Sequence, residues 1–147
     1  MYVRLDKIKS SAHLESIIAD VDLVNGQFVA LGALEADGEA RKVTPSGDVA
    51  KKLVFHASVP LTYLERQTEL DFVLEKGRIG RGFVLEEGDI ISIEKKGVSG
   101  AMAKGAIVVP DANGFKVGTP VGLHGEIIAI DNDMYAGELA VIRISTK

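Results

Sequence analysis

Three histidines, His13, His56 and His124, stand far apart in the sequence, and none forms the close helical pairing that metal ligands often use. A lone His on a strand is usually structural, so an active site here requires His56 and His124 to converge in space with distant carboxylates. The segment Gly77-Arg78-Ile79-Gly80-Arg81-Gly82 has the composition of a phosphate-cradling loop. It matches neither GxxxxGK[ST] nor GxGxxG, and no helix evidently follows it. It reads as a turn carrying two exposed arginines, with Arg78 and Arg81 the contacts for a polyanion if the chain binds one. Glu86, Glu87 and Asp89 crowd one tight turn, where carboxylates are solvated and have no reason to acquire split pKa values. Asp131, Asn132 and Asp133 lack the calcium-loop spacing and its closing Glu. No serine sits in a GxSxG elbow, and Ser99 in Gly97-Val98-Ser99-Gly100 has no neighbouring base. Lys7 and Lys9, Lys51 and Lys52, and Lys95 and Lys96 read as solvated edges that discourage strand pairing between molecules. These residues nominate no catalytic group, metal or cofactor, and the expectation is a protein that presents a surface and is not an enzyme.

Composition points the same way. A chain of 147 residues is the usual size of one domain. Area scaling lets it bury about two-thirds of its surface without metal or disulfide staples. Aromatics are only 5% and Trp is absent, so Val, Ile, Leu and Ala must build the core. A net charge of −4 has the wrong sign for phosphate neutralisation, so no specific nucleic acid is expected. Cysteine is absent, which removes thiol nucleophiles and disulfides. No run approaches the roughly 18 to 20 apolar residues of a membrane span, and residues 1–10 lack the apolar stretch of a signal peptide. The expectation is a soluble protein made in the cytoplasm, with no membrane partner.

The elements that must position these residues are short strands. Sixteen glycines recur between β-branched runs, the spacing of many strands joined by tight turns. Residues 1–12 read as an extended N-terminal arm ahead of a single β-rich domain, residues 13–147. Asn25-Gly26 between the apolar runs 16–21 and 27–31 predicts a hairpin with positive φ at both central positions. Residues 35–48 are a polar loop with a short extended piece at 41–43. Leu53, Phe55, Ala57 and Val59 alternate with Val54, His56 and Ser58, which predicts one buried and one partly covered face, ended by Pro60. Residues 61–77 predict a short helix followed by a strand. Residues 83–85 and 90–93 are strands about the acidic turn, the second rich in Ile.

Residues 95–105 read as a loop or one helical turn, and 106–109 as a strand stopped by Pro110. A turn at 111–114 leads to an extended piece at 115–117. Strands at 121–130 and 138–144 close the chain around the Asp131-Asn132-Asp133 turn. The fold class is therefore mainly β: a small barrel or sandwich of about seven to nine short antiparallel strands with at most one or two short helices.

Asn25-Gly26-Gln27-Phe28-Val29-Ala30-Leu31-Gly32, the Leu85-Glu86-Glu87-Gly88-Asp89-Ile90 turn and the closing Gly137-Glu138-Leu139-Ala140-Val141-Ile142-Arg143-Ile144 strand occur in an order that resembles the small β-rich head decoration proteins of tailed bacteriophages. The resemblance covers nearly the whole chain and is one of pattern and size. It implies a structural virion protein that binds the outer surface of the capsid, with the major capsid protein as partner, and braces the shell. It implies no catalytic residues. Some such proteins contact the shell through an N-terminal arm, which maps by position to Tyr2, Arg4, Lys7 and Lys9. A homo-oligomer is expected where such a protein sits on a symmetry axis. The alternative is a small β-barrel binding module for a polyanion or another protein.

Overall fold

The computed structural model describes residues 1–59 and 68–147. Fourteen strands form among them: β1 (Val3–Lys7), β2 (Leu14–Ala19), β3 (Leu23–Val24), β4 (Phe28–Leu34), β5 (Arg41–Pro45), β6 (Leu53–His56), β7 (Val73–Leu74), β8 (Ile79–Phe83), β9 (Ile90–Glu94), β10 (Val98–Ser99), β11 (Ile107–Asp111), β12 (Gly114–Val117), β13 (His124–Asp133) and β14 (Gly137–Ser145). A single 3-10 turn, Lys95–Gly97, follows β9. Five strands close a barrel in the order β2-β5-β4-β6-β8, seven form a sheet in the order β1-β9-β14-β13-β11-β12-β10, and β3 pairs with β7.

Alternation along β4 and β6 explains how barrel and sheet join. Phe28 of β4 and Leu53 and Phe55 of β6 face one apolar cluster, together with Ile91, Ile93, Phe115 and Ile142 from the large sheet. Val29 and Val54 face the opposite way, into a second cluster with Ile17, Ala19, Leu23 and Val43 inside the barrel. Period-two geometry gives each strand two apolar faces, and here both are covered. Leu53, Val54, Phe55 and His56 are all buried, so the second face predicted to be partly covered is fully enclosed. Phe28 lies edge-on to Phe55 and to Phe115, with centroids 5.2 and 5.0 Å away, which ties the barrel wall to β12.

A five-stranded barrel has little interior, and β8 supplies the room. A Cβ on Gly82 would stand 2.6 Å from Val54 Cγ2, and one on Gly80 would stand 2.6 Å from Ser58 Oγ. The glycines of the Gly77–Gly82 segment thus serve packing and, at Gly77, a left-handed turn with φ of 78°.

Several expectations need correction. Strands number more than nine because the chain breaks into pieces as short as two residues, at β3, β7 and β10. Two pairs, β2–β5 and β10–β12, are parallel. Residues 1–12 are no free arm, since Val3 to Lys7 pair antiparallel with β9 and Met1 is buried. Asn25-Gly26 does turn, with Gly26 at φ 98°, but it joins no hairpin. The run before it pairs with β5 and β8, whose apolar partners close the barrel, and the turn instead connects β3 to β4. β11 continues through Pro110, because its pairing with β13 ends at Val108 and leaves that edge free of ladder bonds. β13 runs on through Asp131, Asn132 and Asp133, which pair with Leu139, Glu138 and Gly137. Of the short helix followed by a strand expected over 61–77, residues 61–67 lie outside the described residues, and the strand forms as β7 after a turn.

Two substitutions test this packing. Phe115→Ala should destabilise by about 3–5 kcal/mol through a cavity at the barrel–sheet junction. Gly82→Ala should cost about 1–3 kcal/mol by overfilling the barrel. Urea unfolding of each variant measures both, and a neutral Gly82→Ala would contradict the narrow interior.

Candidate functional site

Two neighbouring features concentrate the polar chemistry of the molecule. The first is a buried network at one end of the barrel. The residue pair His56–Gly82 across β6 and β8 puts His56 on the interior face of the wall, where it is fully enclosed. Its Nδ1 lies 2.8 Å from the Val24 carbonyl and its Nε2 2.8 Å from Ser58 Oγ. A carbonyl only accepts, so Nδ1 carries the proton and Nε2 accepts from the Ser58 hydroxyl. Ser58 Oγ accepts in turn from the Arg81 N–H at 3.1 Å. Asn25 closes the network, its amide donating to the Ser58 carbonyl and its oxygen accepting from the Ser58 N–H, both at 2.9 Å.

A serine hydroxyl on a neutral imidazole is the arrangement of a nucleophile and its base. Here the hydroxyl is turned toward His56 and the Gly80 backbone, where even a methyl group would clash. The hydroxyl is committed to two hydrogen bonds, to His56 Nε2 and from the Arg81 N–H, which tie the end of β6 to β8. Burial pushes the His56 pKa down from its ordinary value, partly opposed by the Val24 hydrogen bond.

Beside this network lies a cleft of about 190 Å³, lined among the described residues by Tyr2, Val3, Asn25, Val59, Glu69, Arg81 and others. Arg81 points away from the barrel interior, with its guanidinium carbon 5.7 Å from the Phe83 ring centroid. Its Nε is buried and has no hydrogen-bond partner.

The second feature is the tip of the β13–β14 hairpin. Asp133 Oδ1 accepts from the N–H groups of Tyr135 and Ala136 at 2.8 and 2.9 Å, which fixes the loop. Those bonds hold the Asp133 carboxyl below its ordinary pKa. Met134 and Tyr135 project outward, at 106% and 54% exposure. Arg4 reaches across from β1 to Asp131 at 2.9 Å, and also bonds Asp6. Both carboxylates favour its charged form. Tyr2 meets Tyr135 edge-on at 6.4 Å and also lines the cleft, so tip and cleft form one continuous surface.

The residues singled out in the sequence are thereby placed. Tyr2 and Arg4 belong to this surface, bound to the hairpin within the same chain. Lys7 pairs with Ile90 at the far end of β1, and exposed Lys9 lies 3.5 Å from Glu86, so neither is at the tip. Arg78 is exposed in the turn before β8, three positions from Arg81, and the two are not on one strand face. The histidines stay apart: His13 bonds Glu15, and His124 bonds the Gly122 carbonyl. Among the described residues no three His, Asp or Glu gather as a metal site, and no helix is long and apolar enough to cross a membrane.

Of the acidic turn, Glu87 accepts from the Thr146 N–H, which lowers its pKa, while Asp89 is buried and caps the Glu86 N–H. Met134 and Tyr135 were not singled out in the sequence; two large apolar residues between strand ends carry that signal. Neither a family model nor a curated protein sequence matches the chain.

The network sets a pH dependence. His56 must be neutral to accept from Ser58, and its folded pKa lies below the unfolded value of about 6.5, so the unfolded state binds the extra proton first. Stability from this group is complete well above that pKa and declines as pH falls through it. Melting temperature should therefore drop between about pH 7 and 5, and His56→Gln should flatten that part of the profile while lowering stability at pH 7. A wild-type profile flat over this range would contradict the neutral-imidazole lock.

Proposed function

We propose that the protein is a structural, non-catalytic component that docks on an assembled protein surface, in the manner of a phage head decoration protein bound to the outside of the capsid. The observation that carries this reading is the hairpin tip: Met134 and Tyr135 are held out in solvent on a loop fixed by Asp133. Exposing two large apolar side chains at a rigid projection favours burial against another protein. Prior ordering of the loop lowers the entropy cost of docking.

Arg4 and Tyr2 support the same surface from β1, so the residues mapped by resemblance to a contact arm act here as buttresses of the tip. The partner under this reading is the major capsid protein, and the site of action is the virion surface. Many copies bound on a lattice make a modest contact sufficient, because repeated weak attachments sum over the shell. A polyanion-binding module would need Arg78 and Arg81 to act together, and their separation favours the protein-docking reading.

Co-sedimentation with density-banded particles from the source culture tests the proposal. The chain should band with the particles at high copy relative to the coat subunit. The double substitution Met134→Ala, Tyr135→Ala should lower occupancy by about tenfold or more while changing stability by less than about 1 kcal/mol. Absence of the wild-type chain from the particles, or full occupancy by the double variant, would overturn the reading.

A further inference from the structure

We propose that the cleft beside the hairpin tip is a recognition pocket for a single carboxylate side chain of the partner protein, received by Arg81. The identity of the partner rests on the docking reading above; the chemistry of the pocket does not. At about 190 Å³ the cleft is smaller than the roughly 300–1,000 Å³ of small-molecule sites, which fits a side chain and excludes a nucleotide-sized ligand. Val3, Leu5, Ala57 and Val59 offer apolar wall for a methylene stem.

Its polar groups are mostly committed. The Asn25 amide is paired with the Ser58 backbone, and the Ser58 hydroxyl with His56. The charged side chains of Arg81 and Glu69 are the exceptions. The Arg81 Nε–H is buried without an acceptor, and no ion pair holds its guanidinium among the described residues. The side chain is half-buried with only its Nε–H shielded from water, and an unmade hydrogen bond at a shielded donor is costly, so an acceptor arriving from outside is favoured. A planar guanidinium fork matches a carboxylate in two parallel hydrogen bonds. The Glu69 carboxylate also lines the cleft, and its charge favours a singly charged guest over a doubly charged phosphate. Because Tyr2 borders both features, a partner that covers the tip is positioned to insert such a side chain.

The probe is the capped dipeptide N-acetyl-Leu-Glu-amide against its isostere N-acetyl-Leu-Gln-amide, read by the Arg81 Nε–H resonance in ¹H–¹⁵N spectra. The Glu peptide should shift that resonance with saturation in the millimolar range, and the Gln peptide should bind about fivefold or more weakly. In Arg81→Lys, followed through the backbone amides of Tyr2 and Asn25 in the cleft lining, the preference should be abolished. Glu69→Gln should tighten the Glu peptide about two- to fivefold, a gain that a purely structural Glu69 would not give. If Arg81→Lys fails to fold, Glu69→Gln decides, since it leaves β8 intact.

No response at the Nε–H, or equal response to both peptides, would overturn the pocket. On particles, full occupancy by a folded Arg81→Lys variant alongside loss in the Met134, Tyr135 double variant sinks the pocket and leaves docking standing. Selective peptide binding with no particle binding by the wild type leaves the pocket standing and sinks the docking reading.

Discussion

The structure depends on a wall that is buried from both sides. β4 and β6 pair with each other, and each presents alternate residues to two different cores: Phe28 and Phe55 to the sheet, Val29 and Val54 to the barrel. A solvated strand has one face free to carry polar residues, whereas this wall has none. Its cost falls on the residues opposite. The barrel side must be thin, which glycine meets at positions 80 and 82, and the sheet side must be thick, which three phenylalanines meet. One aromatic cluster thus compensates for a composition otherwise poor in rings.

The same constraint explains the buried histidine. Continuing the alternation one step past Phe55 puts His56 inside the barrel end, where it must find partners or be replaced by an apolar residue. The Val24 carbonyl and the Ser58 hydroxyl supply them, and Asn25 imitates a strand by pairing with both backbone groups of Ser58. This stitching joins the Asn25-Gly26 turn to the end of β6 without a ladder. Gly26 completes the join from the other side, since its positive φ and missing Cβ admit Met1, whose Cε would lie 2.7 Å from a Cβ there. The first residues of the chain are drawn into the fold at the point where the cleft opens.

Local chemistry was legible in the sequence, and pairing was not. The all-β character, the Asn25-Gly26 and 111–114 turns and the Ile-rich strand at 90–93 follow from residue types within a few positions. What those strands pair with depends on contacts at long sequence separation, which propensity does not encode. So a turn signature read as a hairpin joins two different sheets, and a charged start read as an arm is the edge strand of the larger one. The glycines of the Gly77–Gly82 segment looked like a ligand loop because the need for an empty Cβ is the same at a phosphate and at a crowded barrel wall. Asp131 to Asp133 read as a turn because acidic residues favour turns, yet a long hairpin with a bulge between Ile127 and Ala129 carries them as strand. That displaced the true tip onto Met134 and Tyr135, and with it the candidate site.

Rigidity at the tip and an unpaired donor in the cleft are complementary devices. A hairpin that extends beyond its sheet would ordinarily splay, and side-chain contacts among exposed groups contribute little singly. Here Arg4 ties β1 to β13, Tyr2 packs against Tyr135, and Asp133 closes the loop, so three small restraints act on one lever. The restraints also orient the cleft, because Tyr2 is common to both. Under the proposed docking reading, apolar contact at the tip carries no information about which surface it meets, whereas the half-buried Arg81 guanidinium would, since a partner lacking a carboxylate at that point leaves its buried Nε–H unmade. That reading assigns affinity and selectivity to neighbouring residues on one face, the first on a hairpin tip outside the barrel and the second on the barrel strand β8.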